Sequence, residues 1–192
     1  MPRSLAVILI AFMVALSGCA FQAQSVAIRP MVEVSASQVG SNKPVYVNVL
    51  DERPRKTLGT VGARNVGADI SINGDIAASV KEAVATGLSK LSFKSINGRI
   101  AENAELRVEI RNLDYNVIVG FWVGTLRVDA GLKAICIRDG MRPYEKLHTG
   151  EFVESVQVVQ AQEANTQYIN KAVSAAVNSM LGDADLMSCI SK

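Results

Sequence analysis

The chain has 192 residues, with 20 basic and 18 acidic side chains, one histidine and a formal charge of +2; no run of basic residues marks a nucleic-acid footprint. It is long enough to bury a single core without help from metals or disulfides. Aromatic residues make up 5% of it, too few for platforms on which single strands or sugars stack.

Arg3 precedes an unbroken apolar run over residues 5–16, which is followed by Ser17 and Gly18. The run is too short for the ~20 residues that cross a bilayer as a helix, but it has the length of a secretory hydrophobic region. A buried amphipathic helix would need a polar face, and residues 5–16 offer none. Leu16-Ser17-Gly18-Cys19 resembles the lipobox of bacterial lipoproteins. The resemblance implies a signal peptide over residues 1–18, with Leu16, Ser17 and Gly18 recognised by a signal peptidase. It also implies a diacylglyceryl thioether on Cys19, whose freed amine is then acylated. Each buried methylene adds about 0.8 kcal/mol of membrane affinity, and anchoring becomes stable with more than one chain. Ala20 stands where an aspartate would retain a lipoprotein in the inner membrane. The resemblance therefore implies an outer-membrane anchor with the domain facing the periplasm.

Residues 19–44 are small and polar and read as a lipidated N-terminus and tether. One extended piece over residues 26–34 interrupts the tether, kept at a sheet edge or outside a sheet by Pro30. Residues 45–192 read as a single periplasmic domain. Val45, Val47 and Val49 alternate with Tyr46, Asn48 and Leu50 in a half-buried strand that ends at Asp51 and turns at Pro54. Residues 58–74 form a glycine-rich hairpin with a strand expected over 68–72. Asn73-Gly74-Asp75 starts a helix whose apolar face is Ile76, Val80, Val84, Leu88 and Leu91. A short strand is expected over 93–96.

A meander follows. Leu106, Val108 and Ile110 point inward in one strand, and Val128, Ala130, Leu132, Ala134 and Cys136 in the next. Turns at Asp139-Gly140 and Arg142-Pro143 lead to a third strand over about residues 147–159. A final helix runs over about 162–181, with Gly182 beyond its end. The expected fold is α+β: one antiparallel sheet of about five to six strands with two helices on one face.

No set of residues announces a reaction, a cofactor or a metal. His148 lacks a nucleophile and an orienting partner in the sequence and reads as an exposed bystander. Glu105, Glu109, Asp114, Asp129, Glu151 and Glu154 read as the solvent face of the sheet. One histidine and two distant cysteines fit no zinc spacing. In an oxidising periplasm Cys136 and Cys189 form an even pair suited to a disulfide; two separate buried thiols is the alternative. Residues 117–125 (VIVGFWVGT) are apolar where a turn should be polar. Their aromatics either cap the core or, through Ile118, Val119, Phe121, Trp122 and Val123, offer a surface to a partner or to lipid. Asp51 and Arg53 point to one side and suit a local ion pair.

The whole chain resembles the YajG-type family of bacterial lipoproteins. The likeness rests on the lipobox, the strand running into Asp51-x-Arg53 (VNVLDERP), the helix after Asn73-Gly74, the long antiparallel strands and the closing helix INKAVSAAVNSML. The resemblance implies an anchored periplasmic domain and no particular activity. Three functions stay open. The first is a non-catalytic accessory or interaction subunit, held to the membrane by Cys19 and binding an envelope protein or the cell wall. The second is an auxiliary lipoprotein of a lipid or lipopolysaccharide transport machine. The third, an enzyme acting on envelope polymers, would need Asp51, Arg53 and another carboxylate in one cleft.

Overall fold

The computed structural model describes residues 22–63, 66–100, 102–119, 124–156 and 161–192. In chain order these form β1 (Gln24–Ala27), β2 (Pro44–Asp51), β3 (Gly59–Ala63), β4 (Val66–Asn73), α1 (Ile76–Lys90), β5 (Lys94–Ile96), β6 (Ala104–Val119), β7 (Gly124–Arg138), β8 (Met141–Val156), α2 (Gln162–Leu181) and α3 (Ala184–Ser191).

The α+β class holds, but the strands make two mixed sheets in place of the single antiparallel one expected. One sheet has the order β5-β2-β6-β7-β8 and the other β1-β4-β3. β2 lies parallel to both β5 and β6, and β1 lies parallel to β4. The chain between β2 and β5 carries a hairpin and a helix, which is enough for a parallel crossover. Both arms of the glycine-rich hairpin are strands, paired from Gly59↔Ile70 to Ala63↔Val66.

Alternation fixes the inner face of the large sheet. Leu106, Val108 and Ile110 oppose Cys136, Ala134 and Leu132, and all six are buried. A bulge at Arg111 then shifts the phase, so that Leu113 and Tyr115 take over the inward positions. The bulge is also where β2 leaves β6. Beyond it, Tyr115 N–H donates to the Leu58 carbonyl at 2.8 Å, bringing the small sheet alongside. β8 begins at Met141, earlier than expected. Asp139 and Gly140 both have positive φ (51° and 76°), the conformation of a tight two-residue hairpin turn. Pro143 then falls in an edge strand, where its missing N–H costs no ladder bond.

α1 starts where expected because the Asp75 carboxylate accepts from Ala77 N–H and Ala78 N–H. Its buried residues Val80, Val84 and Leu88 join those of α2, Ile169, Val173 and Val177, in one core over the sheet. α2 comes close to β8 at Gly150, where any Cβ would run into the Ala172 carbonyl and the Ala176 amide. A third helix, α3, adds to the two expected; its N-terminus is capped by Asp183, which accepts from Asp185 N–H and Leu186 N–H.

Residues 22–44 differ most from the expectation of a tether. Gln24–Ala27 is a strand of the small sheet, and Val26 and Ile28 are fully buried or nearly so. Residues 28–34 then lie between the two long helices. Val32 meets Gly87 of α1, and its carbonyl accepts from Lys90 Nζ at 2.7 Å. The fold therefore takes in the residues from Gln24 onward, and not only those from residue 45.

Candidate functional site

The strand β2 delivers Asp51, Arg53 and Lys56 to a turn beside the start of α1. Arg53 Nε and Nη2 donate to the two Asp51 oxygens at 2.8 and 3.0 Å, and Lys56 Nζ donates to Asp51 Oδ2 at 2.9 Å. The Arg53 side chain is 4% exposed, so this pair is more buried than a surface turn would make it. Among the described residues, Arg53 Nη1 has no partner. Arg53 and Lys56 hold the Asp51 carboxyl far below the usual carboxylate range, against the opposing effect of its burial.

Asp51, Arg53 and Lys56 line a cavity of about 330 Å³ with Thr57, Ser71, Asp75 and Ile76. A second carboxylate, Asp75, therefore does share a pocket with Asp51 and Arg53, as a polymer-cleaving enzyme would require. Both carboxylates are nevertheless engaged: Asp51 grips Arg53 and Lys56, and Asp75 caps α1. A carboxyl held ionised by two cations is not positioned to carry a proton at neutral pH.

The sheet's outer face carries most of the other acidic residues in ion pairs. Glu109 pairs with Arg111 at 3.2 Å, Asp114 with Arg55 at 2.8 Å, and Asp129 and Glu151 with Arg127 at 2.8 and 3.5 Å. Glu105 departs from the expected pattern: it is buried between Arg99 and Arg107, at 3.3 and 3.1 Å. Glu154 is exposed at the end of β8.

His148 is not an exposed bystander; it is 3% exposed and faces inward opposite Leu132. Its Nε2 shares a 2.9 Å hydrogen bond with the Tyr144 hydroxyl. Burial disfavours its imidazolium and pushes its pKa down, and Lys146 adds to this while Asp183 partly offsets it. Asp183, bonded to Lys146 at 2.7 Å, has its own pKa lowered to about 2 in spite of its partial burial.

Cys136, on the inner face of β7, and Cys189 in α3 are joined as a disulfide with Cα atoms 6.4 Å apart. It ties the last helix to the inner face of β7, near that strand's end, across 53 residues of sequence.

The feature that sequence reasoning missed is a comb on α2. Asn170, Ser174 and Asn178 stand four residues apart, and they accept from the N–H groups of Arg29, Met31 and Glu33 respectively. Two extended residues advance about 6.6 Å and four helical residues about 6 Å, so alternate amides meet successive turns. Pro30, which has no N–H, occupies a position between donors. Asn170 and Asn178 also donate back to the Ala27 and Met31 carbonyls. The signal was present as a polar stripe at four-residue spacing beside the apolar face of INKAVSAAVNSML.

Of the remaining predicted residues, Leu16, Ser17, Gly18 and Cys19 lie outside the described residues, as do Phe121, Trp122 and Val123. Val119 ends β6, and Ile118 beside it is 70% exposed. Among the described residues, no three His, Cys, Asp or Glu side chains gather as a metal site, and no helix is long and apolar enough to cross a membrane.

The described residues form an α+β domain whose helices pack over the large sheet. Residues 30–191 match the model of a family described as uncharacterized lipoprotein, and the chain belongs to that family. Membership implies membrane anchoring. Among solved structures, protein XCC0632 from Xanthomonas campestris is 9% identical with a TM-score of 0.53, covering 84% of this chain and 96% of that one. A neuraminyllactose-binding hemagglutinin homolog from Helicobacter pylori gives 9% and 0.53, covering 85% and 95%. A minor lipoprotein from Acinetobacter baumannii gives 9% and 0.47, covering 73% and 91%. At such identities the first two show a shared fold and nothing of function. No curated protein matches.

Proposed function

We propose that this is a non-catalytic lipoprotein of the YajG type, an accessory or interaction subunit of the cell envelope. On this reading Cys19 carries the lipid, the outer membrane holds the anchor, and the domain faces the periplasm. The observation that carries it is the junction between leader and fold. The lipobox Cys19 stands five residues before Gln24, where β1 begins, so the whole signal-peptide pattern precedes the first described strand in sequence. The non-catalytic half of the reading is supported by Asp51 and Asp75, the acids best placed for chemistry, both of which serve the architecture.

Mass spectrometry of the mature N-terminus, with membrane fractionation, tests it. The expected product begins at Cys19, carries three acyl chains and sediments with outer membrane. An unmodified Cys19 or cleavage elsewhere would overturn the anchor. Turnover of an envelope polymer that is abolished by Asp51→Asn in a folded protein would overturn the non-catalytic assignment.

A further inference from the structure

The position of the anchor restricts how the domain can sit. Residues 24–34 run parallel to α2, since Ser25 N–H reaches Gln162 Oε1 and Glu33 N–H reaches Asn178 Oδ1. α2 in turn runs antiparallel to β8: Tyr168 stacks on Phe152, and Asp183 pairs with Lys146 further back along the strand. The start of β1 therefore lies toward the β8 terminus at Val156, which is also where β7 begins and β6 ends, through Gly124↔Val156 and Val119↔Gly124.

Gln24 is level with Tyr115 of β6, because Asn165 bonds both, at 2.8 Å each. From Tyr115 the strand continues four residues to Val119, about 14 Å at strand rise. From Gln24 the chain needs five residues to reach Cys19, and these can span at most about 18 Å. A lipid on Cys19 would thus be within reach of the plane through the β6–β7 end of the sheet.

An exposed apolar side chain marks that end. Ile118 is the most exposed large hydrophobic side chain among the described residues, at 70%. The connection beyond it lies outside the described residues. The exposed acids at this end, Asp69, Glu154 and Glu163, offer no attraction to an anionic lipid surface. The exposed cations of this half, Arg55 and Arg127, are paired with Asp114, Asp129 and Glu151, so apolar contact is what favours docking.

Resting on the reading of Cys19 as lipidated, we propose that the bilayer surface itself is the partner of this end of the domain. The β6–β7 end is seated at the headgroup–acyl boundary, with Ile118 inserted, while the β7–β8 turn and β5 point into the periplasm. The anchor then orients the domain as well as tethering it.

The test uses the full lipidated chain in phosphatidylcholine vesicles, with an environment-sensitive fluorophore on Ile118→Cys and a control on Lys94→Cys of β5. Thr125→Cys, paired with Ile118 across the hairpin, serves if the first variant misfolds. Lipids spin-labelled in the upper acyl region are expected to quench the label at 118 roughly twofold or more, as interfacial insertion requires. The label at 94 should be unaffected, and added salt should change neither. Equal quenching at both sites, or none at 118, in a protein whose Cys19 is shown to be acylated, overturns the orientation and leaves the anchor standing. An unacylated Cys19 overturns both.

Discussion

Met31 donates its backbone N–H to Ser174 Oγ at 2.8 Å, so a strand-like segment is hydrogen-bonded to a helix rather than to another strand. Asn170 and Asn178 repeat the contact one turn to either side, on Arg29 and Glu33. Asn178→Ala should therefore loosen Glu33 more than Arg29, and Asn170→Ala the reverse. Each asparagine makes two bonds to the segment, one accepted and one donated, each worth about 1 kcal/mol, while alanine regains roughly half a kcal/mol in helix propensity. Melting temperature should therefore fall by only a few degrees for either variant, and native-state amide exchange is the measure that tells the two ends of the segment apart. Equal acceleration at all three amides, or none, would show that packing alone holds the segment.

The comb also explains which parts of the fold were legible in the sequence. The alternation in ELRVEIR and LRVDAGLKAICI reports burial of one sheet face directly, and the four-residue spacing of Ile76, Val80 and Val84 does the same for α1. Residues 24–34 alternate too, with Val26, Ile28, Val32 and Val34 turned to one side, which is why an extended piece is legible there. What it docks against is not: its backbone donors find partners about 140 residues away, and local sequence cannot display those. Parallel pairing of β2 with two neighbours was hidden for the same reason. His148 and Glu105 look exposed in the sequence because each is a polar residue among charged neighbours. His148 is buried because it stands on the inward face of β8 beside Tyr144, and Glu105 because Arg99 and Arg107 pair with it.

The Asp51–Arg53 pair should behave asymmetrically. Arg53 is 4% exposed and Asp51 21%, so Asp51→Ala strands a buried guanidinium whose Nη1 already has no partner among the described residues. Losing the partner of a buried charge costs about 3–5 kcal/mol. Arg53→Met removes the buried charge and leaves Asp51 with Lys56, so its cost should be smaller. Chemical denaturation of the two variants decides the matter. A larger loss for Arg53→Met would mean that the guanidinium contributes packing or contacts beyond the ion pair.

The Cys136–Cys189 link encloses a 53-residue separation, for which the chain-entropy account gives about 4 kcal/mol. At roughly 2–4 °C per kcal/mol for a chain of this size, reduction should lower the melting temperature by roughly 8–16 °C. Because Cys136 is fully buried, reduction should be slow until α3 detaches. Peptide mapping without reductant is expected to recover the two cysteines in one linked fragment. Recovery of free thiols at both positions would remove the disulfide and this prediction with it.

His148 is the sole histidine, which gives the range below neutrality a single principal titrating side chain. Burial lowers its folded pKa beneath the ordinary 6.5. Above that value the imidazole is neutral in both folded and unfolded chains and contributes no pH dependence. As the pH falls through 6.5, the unfolded chain binds the proton and the folded one resists, so stability declines, by at most about 1.4 kcal/mol per pH unit. The decline continues until the folded pKa is reached. Asp183 acts separately and lower: its pKa near 2, against an ordinary 3.8, removes stability only as the pH drops from about 4 toward 2. Unfolding midpoints measured from pH 7.5 to 5 should therefore fall in the native chain and stay nearly level in His148→Gln. The amide introduced by that substitution can still bond the Tyr144 hydroxyl, so the comparison isolates the charge. Parallel slopes for the two proteins would assign the acid sensitivity to carboxylates and rule out the buried imidazole as its source.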